Sequence, residues 1–192
     1  MTILEELMRS LSEKGQRPDV YRMTTTLLWK RDVFEFSDKP EFKDKICLEL
    51  GCWDCYTSVV LSHLFKKVYA LQQMEQEEAQ NTIKQYKREN IELVVHDLYK
   101  GTPIRADIIV IDADHEYDAV LGDIKNSLAL PSDGKKYFVF DDYGIIEPVR
   151  RAINHSLHIG TLKLVQKIGW KQGTPPIFQL DIRFKRMKTQ FV

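Results

Sequence analysis

Five short runs, Ile46–Leu50, Val68–Leu71, Ile91–Val95, Ile108–Ile111 and Tyr137–Phe140, are rich in apolar residues and show no regular polar–apolar alternation. A strand wet on one face alternates, whereas a strand covered on both faces reads apolar throughout. Longer segments of mixed polarity, Tyr56–Phe65, Glu75–Glu89 and Tyr117–Leu130, lie between the runs. This rhythm predicts a doubly wound α/β fold, a parallel sheet with helices on both faces. Pro131-Ser132-Asp133-Gly134 makes a turn before the fifth run, and Pro148 suits the first turn of a helix reaching about His158. Two further strand candidates follow, Leu162–Trp170 and Ile177–Phe184. The Gly- and Pro-rich link Lys171–Pro176 is too short for a crossover helix, so this pair is expected as an antiparallel hairpin, giving seven strands.

A length of 192 residues suits one compact domain. Residues 1–44 read as a helical segment broken at Gly15–Pro18 and Ser37–Pro40, an acceptor-side cap or an interface; residues 45–192 carry the α/β rhythm. Lys plus Arg and Asp plus Glu both total 28, so bulk charge gives no strong signal for nucleic acid. Arg183, Lys185, Arg186 and Lys188 form a local basic patch or a solubilising end. No apolar run approaches the ~20 residues of a membrane span. The first residues, with Ile3, Leu4, Leu7, Met8 and Leu11 at helical spacing, read as an amphipathic helix and not a secretion signal. Three cysteines, an odd number, argue against a disulfide framework and for a reducing, cytoplasmic setting.

The chemistry-bearing residues cluster where the runs end. Cys47-Leu48-Glu49-Leu50-Gly51-Cys52-Trp53-Asp54-Cys55-Tyr56-Thr57-Ser58 reads as strand, tight turn and helix. Ligands of open α/β sheets bind at the carboxyl ends of strands. Gly51 permits close backbone approach, and Glu49 can accept from an ammonium group. Ile108–Ile111 runs into Asp112-Ala113-Asp114-His115, and Tyr137–Phe140 into Asp141-Asp142-Tyr143-Gly144. Asp112, Asp141 and Asp142 converge if these strands are neighbours. Carboxylates packed together repel unless a cation neutralises them, and oxygen ligands suit Mg2+. Solvated carboxylates capping the next helices are the plainer alternative. Cys52-Trp-Asp-Cys55 also permits a thiol–disulfide exchange site, while two cysteines without a second pair make a poor zinc site.

Glu-Leu-Gly, three residues, a small residue and Tyr-Thr-Ser resembles the first motif of class I S-adenosylmethionine-dependent methyltransferases, a Rossmann-like family. Ile-Asp-Ala-Asp-His-x-Tyr with Asp-Asp-Tyr-Gly is similar to the metal-dependent small-molecule O-methyltransferases of the macrocin, catechol and caffeoyl-coenzyme A types. The resemblance spans about residues 45 to 160. It implies S-adenosylmethionine bound by Glu49, Gly51, Cys52, Cys55, Thr57, Ser58, Gln72, Asp97 and Asp112, with Gln72 at the ribose and Asp97 at the adenine. It implies Mg2+ at Asp112, Asp141 and Asp142, with His115 as the base and Asp114 as the competing candidate. Two positions depart from the pattern: Cys55 stands where the family has glycine, and Gln72 where it has a carboxylate. The resemblance further implies a small-molecule acceptor and a possible homo-oligomer. Tyr21, Trp29, Phe34, Phe36 and Trp53 are pocket candidates, or core. Non-catalytic cofactor binding and a thiol redox role at Cys52 and Cys55 remain the alternative functions.

Overall fold

The computed structural model describes residues 5–7, 9, 25, 27–75, 77–95 and 104–168, and the backbone of 180–185. Asp97, Tyr21, the 169–179 connection and the basic residues beyond 185 lie outside the described residues. After helical backbone at 5–7 and 9, the chain forms α1 (Leu27–Ser37), α2 (Pro40–Lys43), β1 (Ile46–Leu50), α3 (Tyr56–Ser62), β2 (Lys67–Gln72), α4 (Glu77–Gln85) and β3 (Ile91–Val95). It continues with β4 (Ile108–Ile111), α5 (Tyr117–Ala129), β5 (Lys136–Phe140), α6 (Glu147–His158), β6 (Lys163–Ile168) and β7 (Leu180–Lys185). The break expected at Ser37–Pro40 is where α1 stops and Pro40 opens α2.

The sheet order is β3-β2-β1-β4-β5-β7-β6. The first five strands are mutually parallel; β7 pairs antiparallel with both β5 and β6. Because side chains alternate along a strand, each strand feeds two cores. Cys47, Ile108, Val110 and Val139 join one core with Trp29, Val33, Phe42 and Val59. Leu48, Leu50, Ile109, Ile111, Phe138 and Phe140 join the other with Val120, Ile124, Val149 and Ile153. Two covered faces explain why the central runs are so rich in apolar residues. The face of Cys47 is also that of Glu49, so this carboxylate points toward α3.

The amino edge is held by charge used structurally. Buried Asp107 accepts from Ile46 N at 3.2 Å and from Asp133 N at 2.9 Å. Buried Lys136 donates to the carbonyls of Ser127 and Leu128, both at 2.8 Å, and to that of Leu130. It thereby satisfies the carbonyls that α5 leaves open at its end. The opposite edge is free for chemistry.

Candidate functional site

Register puts four strand ends on one line. Leu50 lies opposite Leu71 and Ile111, and Ile111 opposite Phe140. Gly51, Gln72, Asp112 and Asp141 therefore follow on one rim. Between β1 and β4 the winding reverses, the place where open α/β sheets bind ligands.

Gly51 has φ +84° and donates its N–H to Leu71 O at 2.9 Å. A Cβ there would stand 1.9 Å from Asp112 O. The close approach that this glycine serves in the structure is to the end of β4. Trp53 and Cys55 also have positive φ, +42° and +62°, and Cys55 N closes the turn onto Cys52 O at 2.7 Å. Cys55, which stands where the resembled pattern has glycine, is fully buried in the core cluster that holds Cys47 and Val59. Its cost is conformational, about 1–2 kcal/mol for a left-handed L-residue. Glycine at 55 relieves that cost and alanine does not. Cys55→Gly is therefore expected to be about 1 kcal/mol more stable than Cys55→Ala in urea denaturation, the reverse of the usual order.

Several first-motif residues are committed to the interior. Glu49 is 1% exposed and accepts from Ser58 Oγ. Burial pushes its carboxyl up to about 8, with the Cys55 thiol adding to this and Ser58 opposing it. Thr57 Oγ1 meets Thr25 Oγ1 at 2.8 Å. Gln72, 7% exposed, accepts from Cys52 Sγ at 3.4 Å, and its buried Nε2 has no partner among the described residues. Exchanging the amide oxygen and nitrogen leaves an unpaired atom either way. An orphaned buried amide on the rim is what a ligand hydroxyl, able to donate or accept, would satisfy.

Beside it lie the acids. Burial, then Asp141, Asp142 and Glu49, hold Asp112 well above the usual carboxylate range. Asp141 is pushed up to about 7 by burial and by Asp142, and its Oδ1 accepts from Asp142 N at 2.9 Å. His115 Nε2 lies 2.9 Å from Asp142 Oδ2, and this hydrogen bond raises the imidazole pKa. Asp112, His115 and Asp142 each offer a ligand atom, all within 4.8 Å of one another. This group differs from the expected trio in one member: His115 stands in it and Asp141 does not. Asp114 Oδ1 accepts from Glu116 N at 2.9 Å, capping the approach to α5. The structure thus sets Asp114 to a local backbone task and His115 toward the acids.

Lys30 was not among the expected site residues. It is 0% exposed, its Nζ donates to Thr25 O at 2.5 Å, and its charge acts on Asp141, Asp112 and Glu49. Burial lowers its pKa to about 8, against the pull of those acids. A signal was present: Lys30, Val33, Phe34 and Ser37 share one helical stripe and all are buried. Trp29 Nε1 donates to Phe140 O at 3.4 Å, so α1 sits against the rim and Trp29 belongs to the core.

Glu49 and Asp141 have folded-state pKa values above their unfolded ones, so the folded protein binds more protons between about pH 4 and pH 8. Stability conferred by these groups is full below the unfolded pKa and falls as pH rises through the folded one. His115, also raised, acts in the same direction. Urea midpoints of the ligand-free protein are expected to fall from pH 5 to pH 8, and Glu49→Gln to flatten that slope. A midpoint rising over this range would contradict the buried acids.

The chain matches no protein-family model and no curated protein by sequence. By structure it is similar to cofactor-bound Rv0187 from MTB, at TM-score 0.68 and 14% identity, covering 93% of this chain and 88% of that one. It is similar to the N-methyltransferase NodS from Bradyrhizobium japonicum in complex with S-adenosyl-L-homocysteine, at TM-score 0.64 and 18% identity, covering 95% and 97%. An rRNA methylase from Streptococcus thermophilus matches at TM-score 0.58 and 17% identity, covering 81% and 95%. The shared feature is the fold, that of the S-adenosylmethionine-dependent methyltransferases. Among the described residues no helix is long and apolar enough to cross a membrane.

Proposed function

We propose that this chain is an S-adenosylmethionine-dependent methyltransferase acting on a hydroxyl of a small molecule, with a divalent cation at the ends of β4 and β5. The observation that carries the reading is the His115–Asp142 pair, 2.9 Å apart, beside Asp112 on the rim of a methyltransferase fold. Net charge of zero favours a small acceptor over nucleic acid.

The nucleoside would lie along the turn at 51–55, with the orphaned amide of Gln72 meeting a ribose hydroxyl and Asp112 at the switch point. When bound, the cofactor supplies a sulfonium methyl group. Asp142 accepts from His115 Nε2–H, which fixes the tautomer and leaves the Nδ1 lone pair free. Nδ1 takes the proton of the acceptor hydroxyl, and Asp142 stabilises the imidazolium that results. Holding the acceptor in line supplies several kcal/mol of the barrier.

Asp112 and Asp142 would hold the cation, which when bound lowers the pKa of a hydroxyl. A second reading makes His115 Nε2 the third ligand, favoured by the 4.8 Å limit on the group. That mixed nitrogen and oxygen set suits Mn2+ better than Mg2+, which prefers oxygen throughout. Mn2+ affinity in His115→Ala separates the two: unchanged for a base, lost for a ligand.

The test is thermal unfolding with S-adenosylmethionine or S-adenosylhomocysteine, with and without Mn2+ and Mg2+, then turnover on phenols and sugar hydroxyls. Ligand at a hundred times its dissociation constant is expected to stabilise by about 2.7 kcal/mol. No shift with either nucleoside sinks the proposal. Binding without turnover on every acceptor leaves a cofactor-binding protein.

A further inference from the structure

The methyl-transfer reading places the turn of Cys52 and Cys55 at the wall of the proposed nucleoside site but gives their thiols no chemistry. The turn is closed by Cys55 N donating to Cys52 O at 2.7 Å. Such a turn keeps the first and fourth Cα atoms within about 7 Å, and a disulfide needs about 4.4–6.8 Å. The single proton of the Cys52 thiol has two acceptors in reach, Gln72 Oε1 at 3.4 Å and the Cys55 sulfur. Cys55 lies beside Cys52 and Ser58, and its pKa is lowered, with the Cys52 thiol the largest cause. Cys47 is separated from the pair by β1 geometry: it lies in the strand interior, buried in the core.

We propose that Cys52 and Cys55 are a redox-modification site, at which a hydroperoxide joins them in a disulfide that resets the Gln72 side of the ligand site. Exposures of 4% for Cys52 and 0% for Cys55 close the resting turn at the Cys55 sulfur even to a water-sized molecule, so a small hydroperoxide reaches it when the turn opens locally. The Cys55 thiolate sulfur attacks one oxygen of H2O2 and displaces hydroxide, which leaves as water with the proton the thiol gave up. The Cys52 sulfur then attacks the Cys55 sulfenic acid. The S–S bond forms, the S–O bond breaks, and the hydroxyl leaves with the Cys52 proton as a second water. Two thiols lose two electrons and one peroxide becomes two waters. The Cys52 S–H donor to Gln72 is gone, so both polar atoms of that buried amide must find partners elsewhere.

The experiment treats the full-length protein with H2O2, then maps peptides by mass spectrometry and measures S-adenosylhomocysteine binding by calorimetry. Expected are the loss of two hydrogens localised to a Cys52–Cys55 link, reversal by dithiothreitol, and absence of the link in Cys52→Ser. Nucleoside affinity should fall about tenfold in the linked form, matching one lost hydrogen bond that positions the site. Oxidation that stops at sulfinic acid on one cysteine, or a link to Cys47, overturns the proposal. So does a linked form that binds the nucleoside as the reduced form does. Only the affinity readout rests on the methyltransferase reading. If the reduced protein binds no nucleoside, that reading fails, and the peptide map and the melting temperature of the linked form decide this proposal alone.

Discussion

Gly51→Ala is expected to destabilise the protein by about 4 kcal/mol or more, a large share of the roughly 5–15 kcal/mol that holds a domain folded. The added Cβ would lie 1.9 Å from Asp112 O, 2.6 Å from Asp112 C and 2.7 Å from Ala113 Cα. All three are backbone atoms, so no side chain can swing aside. Relief requires β1 and β4 to part at their ends, where Asp112 N donates to Leu50 O at 2.9 Å, and strains the neighbouring bond from Gly51 N to Leu71 O of β2, also 2.9 Å. The φ of +84° adds its own cost. Gly160→Ala is the control: its φ is +74°, but a Cβ there meets nothing within 4 Å. Only the backbone cost of about 1 kcal/mol applies to it. Urea denaturation followed by far-UV circular dichroism measures both. Equal midpoints for the two variants would mean that the strand ends do not meet as described.

On the proposed mechanism, His115→Ala is expected to lower turnover by about 100- to 10,000-fold, the range for loss of a general base, with nucleoside affinity retained. The side chain is 47% exposed, so the fold does not depend on it. Asp142→Asn keeps the size of the partner and removes the charge that raises the imidazole pKa. A base works above its pKa, so the acidic limb of the rate profile should move to lower pH as the maximum rate falls. Full activity in His115→Ala, or an unmoved limb in Asp142→Asn, would remove His115 from the reaction.

Much of the frame was legible because it obeys local period. Ile46–Leu50, Ile91–Val95 and Ile108–Ile111 are strands with the boundaries read from their apolar runs. Parallel strands covered on both faces, such as β1 and β4, are rich in apolar residues, while β3 at the sheet edge carries exposed Glu92 and Val95. The acids at 112, 141 and 142 stood out for the same reason, since a charge directly after such a run falls at a strand end. Asp97 matched the adenine position by resemblance alone and lies outside the described residues.

What sequence by itself determined, then, is which residues leave the core and where along each strand they do so. The through-space partners came from register and helix packing, which no local window contains. Lys30 meets the acids because α1 is folded against the carboxyl rim, 80 residues and more before Asp112 in the chain. Asp141 accepts from its neighbour's amide while His115 pairs with Asp142, whose φ is +59°. Only tertiary structure decided that Lys30 and His115 meet these acids, because those contacts depend on atoms brought together by strand pairing and helix packing across tens of residues.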